Sequence, residues 1–196
     1  TWAIEDALGV ETVRIPHTVM VRLATTLREH DFQVCVKGRL EGKAFTCMEI
    51  CGPQDRGIYG CAIDIGTTTV TMVMTDLTSG KILAKGSSGN GQIRYGADVI
   101  NRIIEQGKPG GKKKLQDAII KETLVPIMVG LCKSASLNPR SILSLCVGAN
   151  TTMNHLFVGV DAQSVRMEPY IPSFFHWDGL LAGDLKLPAN PLAPVL

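Results

Sequence analysis

At 196 residues, with 45% hydrophobic and 19% charged residues, the chain has the apolar content of a packed core, which excludes a disordered tail or linker. The length suits one domain, or one domain with a small appendage. A net charge of +2 argues for neither a nucleic acid nor a membrane surface as partner. The basic run Lys112-Lys113-Lys114 reads as a solvated helix start. No apolar stretch reaches the roughly 18 residues that a membrane span needs, and no signal peptide is visible, so the expected location is the cytoplasm. The chain starts at Thr1 and not at Met, which reads as a piece of a longer protein and takes weight from the missing targeting signal.

Residues 1–57 form the first expected domain. A short helix over 4–8 closes at Gly9. A second helix follows Pro16, with Val19, Leu23 and Leu27 on one face. Strands over 32–36 and 44–50, joined by a turn at Glu41-Gly42, complete a small α+β unit. The breaker run Cys51-Gly52-Pro53-Gln54-Asp55-Arg56-Gly57 marks its end.

Residues 58–196 form the second. Strands over 59–65, 70–75 and 81–85, joined by turns at 66–69 and 76–80, predict an antiparallel meander. A polar, Gly-rich loop over 86–96 leads to a helix over 97–106, with Val99, Ile100, Ile103 and Ile104 on one side and Gly107 as its stop. A long helical pattern over 112–134 contains Pro126, which should kink it. A buried strand over 141–147 exits through Gly148-Ala149-Asn150 into a short helix over 151–157. Beyond about residue 168 the chain turns Pro- and aromatic-rich and ends with no closing element.

The six cysteines give no metal pattern. Cys61, Cys132 and Cys146 sit in apolar runs and read as buried thiols of a reducing compartment. Cys47 and Cys51 make a lone C-x3-C, short of the roughly four ligands that zinc or an iron–sulfur cluster takes.

The chemistry lies in Gly60-Cys61-Ala62-Ile63-Asp64-Ile65-Gly66-Thr67-Thr68-Thr69-Val70. An apolar strand delivers one carboxylate, Asp64, to the mouth of a tight turn. Gly66 lets backbone approach a ligand without a Cβ in the way. Thr67, Thr68 and Thr69 offer hydroxyls beside backbone N–H groups, a tip able to cradle terminal phosphates. Asp64 is placed to hold Mg²⁺ through water, which that ion prefers to keep. Asp followed by Gly-Thr is also ordinary hairpin chemistry; the meander, helices and second buried strand around it favour phosphate. Asn150, Thr151 and Thr152 stand where a strand gives way to a helix N-terminus, suited to an anion or an attacking water and also to plain capping. His155 reads as a core contact. Asp98 and Arg102, four apart on a helix, read as a surface ion pair. Asn90, Gln92 and Tyr95 read as a polar loop lining the site or an interface. Phe174, Phe175 and Trp177 read as core anchors.

Residues 60–80 resemble the opening phosphate hairpin of the acetate kinase, sugar kinase, heat-shock protein and actin superfamily. Two further stretches narrow the resemblance. Asn90-Gly91-Gln92-Ile93-Arg94-Tyr95-Gly96-Ala97-Asp98-Val99-Ile100-Asn101-Arg102-Ile103 is similar to the N-x-Q-x-x-x-G-A-D-V-I-x-R-I segment of ATP-dependent reductive activators of corrinoid proteins. Val147-Gly148-Ala149-Asn150-Thr151-Thr152-Met153-Asn154-His155-Leu156 is similar to their V-G-N-T-T-M-x-H-L segment, with Ala149 as a departure.

The resemblance implies an α/β fold: an actin-like, ribonuclease H-like ATPase subdomain with a mixed sheet, truncated before its second phosphate loop and adenosine loop. Residues 1–57 would be the small middle domain of the same proteins. The implied activity is ATP hydrolysis driving an electron onto an inactive Co(II) corrinoid protein of a methyltransferase system. The implied cofactors are ATP and Mg²⁺, with an iron–sulfur cluster only on a segment absent from this chain. A homodimer stays open. Two other readings remain: a small-molecule kinase of the same superfamily, and a non-catalytic partner-binding module.

Overall fold

A computed structural model describes the whole chain, Thr1–Leu196. It divides into two compact units, Thr1–Ile58 and Tyr59–Leu196.

In the first unit, helix α1 (Trp2–Leu8) ends at Gly9, whose φ of 64° is a left-handed cap. Strand β1 (Thr12–Arg14), helix α2 (His17–Glu29), strand β2 (Cys35–Glu41) and strand β3 (Ala44–Cys51) follow. The sheet order is β1-β3-β2, with β1 parallel and β2 antiparallel to β3. Two details differ from the sequence expectation. Strand β1 was not anticipated, and β2 begins at Cys35 rather than 32. Phe32 closes α2 instead, at φ 62°, with its N–H on the Leu27 carbonyl at 2.7 Å. Val19, Phe45, Cys47, Met48 and Ile50 form the core. Lys37 is buried as well, its Nζ 2.7 Å from the half-exposed Asp55 carboxylate.

The second unit opens with the expected meander, β4 (Tyr59–Ile65), β5 (Thr69–Asp76) and β6 (Ile82–Gly89). A 3-10 turn over Gly91–Tyr95 leads to α3 (Val99–Gln106) and α4 (Gly111–Ile119). The kink in the long helical stretch is a π turn, Ile120–Leu124, before α5 (Val125–Ser134). Pro126 explains it: with no amide it cannot make the α-helical bond to the carbonyl four residues back. Strand β7 (Ile142–Ala149) lies parallel to β4 and feeds α6 (Thr151–Val158), followed by the short α7 (Gln163–Arg166). The sheet order is β6-β5-β4-β7. The fold is therefore mixed α/β with a mixed sheet, preceded by a small α+β unit, as expected.

Strand alternation gives the sheet two different faces. Cys61, Ile63, Ile65, Val70, Met72, Met74 and Leu145 point to one side, where Ile103, Leu115, Ile119, Leu124, Met128, Leu156 and Phe157 are buried with them. On the other side Ala62, Asp64, Thr69, Thr71, Cys146 and Gly148 are exposed. Cys146 therefore corrects the expectation of a buried thiol.

The end of the chain is also not structureless. Residues 194–196 pair in parallel with β7: the Leu145 amide donates to the Pro194 carbonyl at 2.9 Å and the Val147 amide to Leu196 at 2.8 Å. Trp177 is anchored there by its Nε1–H on the Val195 carbonyl at 2.7 Å, and Phe174 packs edge-on against it at 5.8 Å. Phe175 departs from the expected anchoring and is 83% exposed.

Candidate functional site

The β4–β5 connection is a tight hairpin closed by the Gly66 amide on the Thr69 carbonyl at 3.0 Å. Ile65 and Val70, opposite each other and buried, fix its base. Asp64 sits one residue before, on the exposed face, with Thr71 and Gly148 as its neighbours across the sheet. The amides of Thr67 and Thr68 have no acceptor within the chain.

Because β7 runs parallel to β4, its exit lies beside this tip. Asn150 caps α6, its side-chain oxygen accepting from the Met153 amide at 2.9 Å. Its Nδ2 reaches the Thr67 hydroxyl at 3.3 Å. Thr151, exposed, opens the helix, and its carbonyl is 2.7 Å from His155 Nδ1, whereas Thr152 is buried and corrects the expectation that it faces the corner. The fold thus brings Asp64, Gly66, Thr67, Thr68, Thr69, Asn150 and Thr151 to one corner, where a carboxylate, unpaired amides and a helix N-terminus face solvent. Such a corner can receive an anion whose charge is shared with a cation.

His155 is a core residue. It is fully buried, stacks on Phe174 at 4.4 Å, and its Nε2 accepts the Ser173 amide at 3.0 Å. Since Nδ1 faces a carbonyl, that nitrogen carries the proton and the ring is the neutral Nδ1–H tautomer.

The expected surface pair of Asp98 and Arg102 does not exist. Asp98 is the cap of α3 and lies outside the helix, its Oδ1 accepting from the Asn101 amide at 2.8 Å. Arg102 is fully buried behind the hairpin. Its Nη2 donates to the Thr67 carbonyl at 2.6 Å, its Nε to Gly96 at 2.8 Å and its Nη1 to Gln92 Oε1 at 3.3 Å. Burial pulls the guanidinium below its ordinary pKa, and the Asp98 charge opposes that shift.

Asn90 and Gln92 are buried too and do not line the open corner. Asn90 Nδ2 donates to the Gly66 carbonyl at 2.8 Å, and the Asn90 amide to Thr68 at 2.8 Å. Gln92 Nε2 holds the Leu115 carbonyl at 2.9 Å. Tyr95 stands apart, under the Arg94 guanidinium at 4.7 Å. The sequence signal for this bracing layer was a polar, Gly-rich stretch without apolar alternation, which resembles a solvated loop.

No group of three or more His, Cys, Asp or Glu side chains is disposed to hold a metal. All six cysteines are free thiols. The C-x3-C thiols are tied to backbone carbonyls, and burial pushes Cys47 up to about 11 and Cys51 to about 12. They do not form a cluster site. No helix is long and apolar enough to cross a membrane.

The model of a family described as the RACo middle region matches residues 59–196. That description falls on the second unit, whereas the sequence resemblance attached the term to residues 1–57. A corrinoid activation enzyme, RamQ of Eubacterium limosum, is 37% identical over 143 residues, 72% of this chain and 24% of that protein. A solved reductive activator for a corrinoid, iron–sulfur protein superposes with a TM-score of 0.84 at 31% identity, covering 98% of this chain and 31% of the other. The chain spans 24% and 31% of the lengths of these two relatives.

Proposed function

The chain belongs to the RACo middle-region family, and we propose that it supplies one phosphate-binding lobe of an ATP-driven activator of corrinoid proteins. Residues 59–196 are then the first subdomain of an actin/hexokinase-type ATPase, and residues 1–58 a small domain ahead of it. The observation that carries the reading is the corner where the unpaired Thr67 and Thr68 amides, the Asp64 carboxylate and the Asn150-capped helix meet.

The chemistry is phosphoryl transfer to water, which proteins promote by positioning and electrostatics. The Thr67 and Thr68 amides receive phosphate oxygens. The Thr67 hydroxyl is oriented by Asn150. Asp64, a lone exposed carboxylate, fits Mg²⁺ held through its own waters and would be repelled by phosphate without a cation. Bound there, Mg²⁺ offsets charge on the polyphosphate. The N-terminus of α6, with Thr151 exposed, faces the same volume.

The partner class follows from the relatives, one described as a corrinoid activation enzyme and the other as an activator for a corrinoid, iron–sulfur protein. The electron that takes Co(II) to Co(I) is assigned to an iron–sulfur cluster outside these residues, because the thiols here form no ligand set. A kinase of the same fold would need a carboxylate base besides Asp64 at the tip, and Asn150-Thr151-Thr152-Met153-Asn154 holds none.

Steady-state ATP hydrolysis by the intact protein, with and without a Co(II) corrinoid protein, tests the reading. Turnover should rise with the corrinoid protein and vanish in Asp64→Ala. Unchanged turnover in that variant, or phosphate appearing on a metabolite, would overturn it.

A further inference from the structure

Arg102 is a fully buried cation whose hydrogen-bond partners are all neutral. Burying a charge is costly when no hydrogen-bonded ion pair offsets it, and here the nearby Asp98 charge acts on the guanidinium only at a distance, so the position is expected to serve something that uses the charge. The hairpin tip shows what. Three consecutive carbonyls, those of Gly66, Thr67 and Thr68, are all held: the first two by the buried side chains Asn90 Nδ2 and Arg102 Nη2, the third by the Asn90 amide along the edge of the β5–β6 ladder. The donors form one cluster, since Asn90 Nδ2 and Arg102 Nη1 both approach Met153 Sδ, at 3.9 and 3.2 Å.

In a trans peptide the C=O and the next residue's N–H point in opposite directions. Holding the Gly66 and Thr67 carbonyls on the buried side therefore turns the amides of Thr67 and Thr68 away from it. That is the side of the sheet on which Asp64 is exposed. The Thr67–Thr68 peptide also lies in series between the guanidinium and the open corner. A cation on its oxygen polarises its N–H toward any anion beyond.

We propose that Arg102, braced by Gln92 and Asn90, is a positioning residue that fixes the hairpin amides as a receptor for the polyphosphate of a nucleotide. The inference rests on the proposed ATP-binding function and adds the device that sets its selectivity for phosphate over nucleoside. Lysine cannot replace the arginine, because one ammonium cannot span three acceptors in the planar fork that Nε, Nη1 and Nη2 provide.

The test is calorimetric binding of Mg·ATP, Mg·ADP and adenosine to the intact protein, wild type and Arg102→Lys, with a thermal melt of each. The variant should lose on the order of tenfold or more in affinity for both nucleotides and keep its affinity for adenosine. In turnover it should raise KM for ATP more than it lowers kcat. Asn90→Ala, which frees the Gly66 carbonyl and leaves the backbone bond to Thr68, should show the same selectivity in smaller degree and serves if Arg102→Lys fails to fold. A folded Arg102→Lys protein with wild-type Mg·ATP affinity would overturn the inference alone, as would an equal loss for adenosine. Wild-type protein that binds no Mg·ATP would overturn the ATP-binding function itself.

Discussion

Gly66→Ala places a methyl group 2.5 Å from the Thr69 carbonyl oxygen, where Cβ atoms essentially never come closer than 3.0 Å. The obstacle is backbone, so the hairpin must open by about half an ångström, the difference between those two distances. The oxygen in the way is the acceptor that the Gly66 amide uses to close the turn. Overpacking of this kind costs about 1–3 kcal/mol, and a weakened closing bond adds about 1 kcal/mol. A total near 3 kcal/mol should lower the melting temperature by about 10 °C in a unit of this size. Circular dichroism melts of this chain read the effect, with Gly130→Ala as the control. Gly130 is exposed in α5 with nothing within 4 Å of where a Cβ would stand, so alanine there should stabilise by about 0.5–1 kcal/mol. A Gly66→Ala melt within about 2 °C of wild type, against the expected shift, would refute the tight-turn geometry on which the site is built.

Lys37 and Asp55 should respond unequally. Asp55→Asn strands a buried ammonium and should cost about 3 kcal/mol in a urea titration, whereas Lys37→Met should be close to neutral. The Lys37 pKa lies above its ordinary value despite the opposing burial, raised by the Asp55 hydrogen bond and nearby Cys51, Asp55 and Glu49. The pair's contribution is therefore complete below the unfolded value, near ~10.4, and is lost as pH rises through the higher folded one. Lys37→Met should remove that alkaline loss, and an identical alkaline slope in the variant would contradict the assignment. Among the thiols, Cys146 is exposed, while burial pushes Cys61 up to about 12. At pH 8 a thiol of that kind is thiolate in about one molecule in ten thousand. Iodoacetamide followed by peptide mapping should mark Cys146 first and leave Cys61 unmodified in the folded chain; early labelling of Cys61 would contradict its place under the sheet.

The elements legible in the sequence are those whose signal is local. Strand β4 is a short apolar run and β5 alternates, the turn at Asp76-Leu77-Thr78-Ser79-Gly80 punctuates them, and α6 is bracketed by its Asn150 cap and Gly159 stop. Strand β1, three residues long, exists through its pairing with β3, so no alternation could reveal it. The apolar run of β7 suggested burial on both faces, yet Cys146 and Gly148 face outward, and a short apolar run cannot separate the two cases. Asp64 and residues 66–69 were visible as a strand end followed by a turn. Arg102 was not, because spacing on a helix gave it a surface partner, whereas Asp98 is the helix cap and spends its carboxylate on the amide and side chain of Asn101. Its true partner, the Thr67 carbonyl, lies 35 positions earlier, a contact made by tertiary packing alone.

Amide hydrogen exchange of the intact protein, measured with and without Mg·ATP, tests the central claim most directly. The account predicts nucleotide-dependent protection of peptides covering residues 64–70 and 148–152, lost in Asp64→Ala. Protection confined to other segments, with the hairpin amides exchanging as fast as in the free protein, would contradict it.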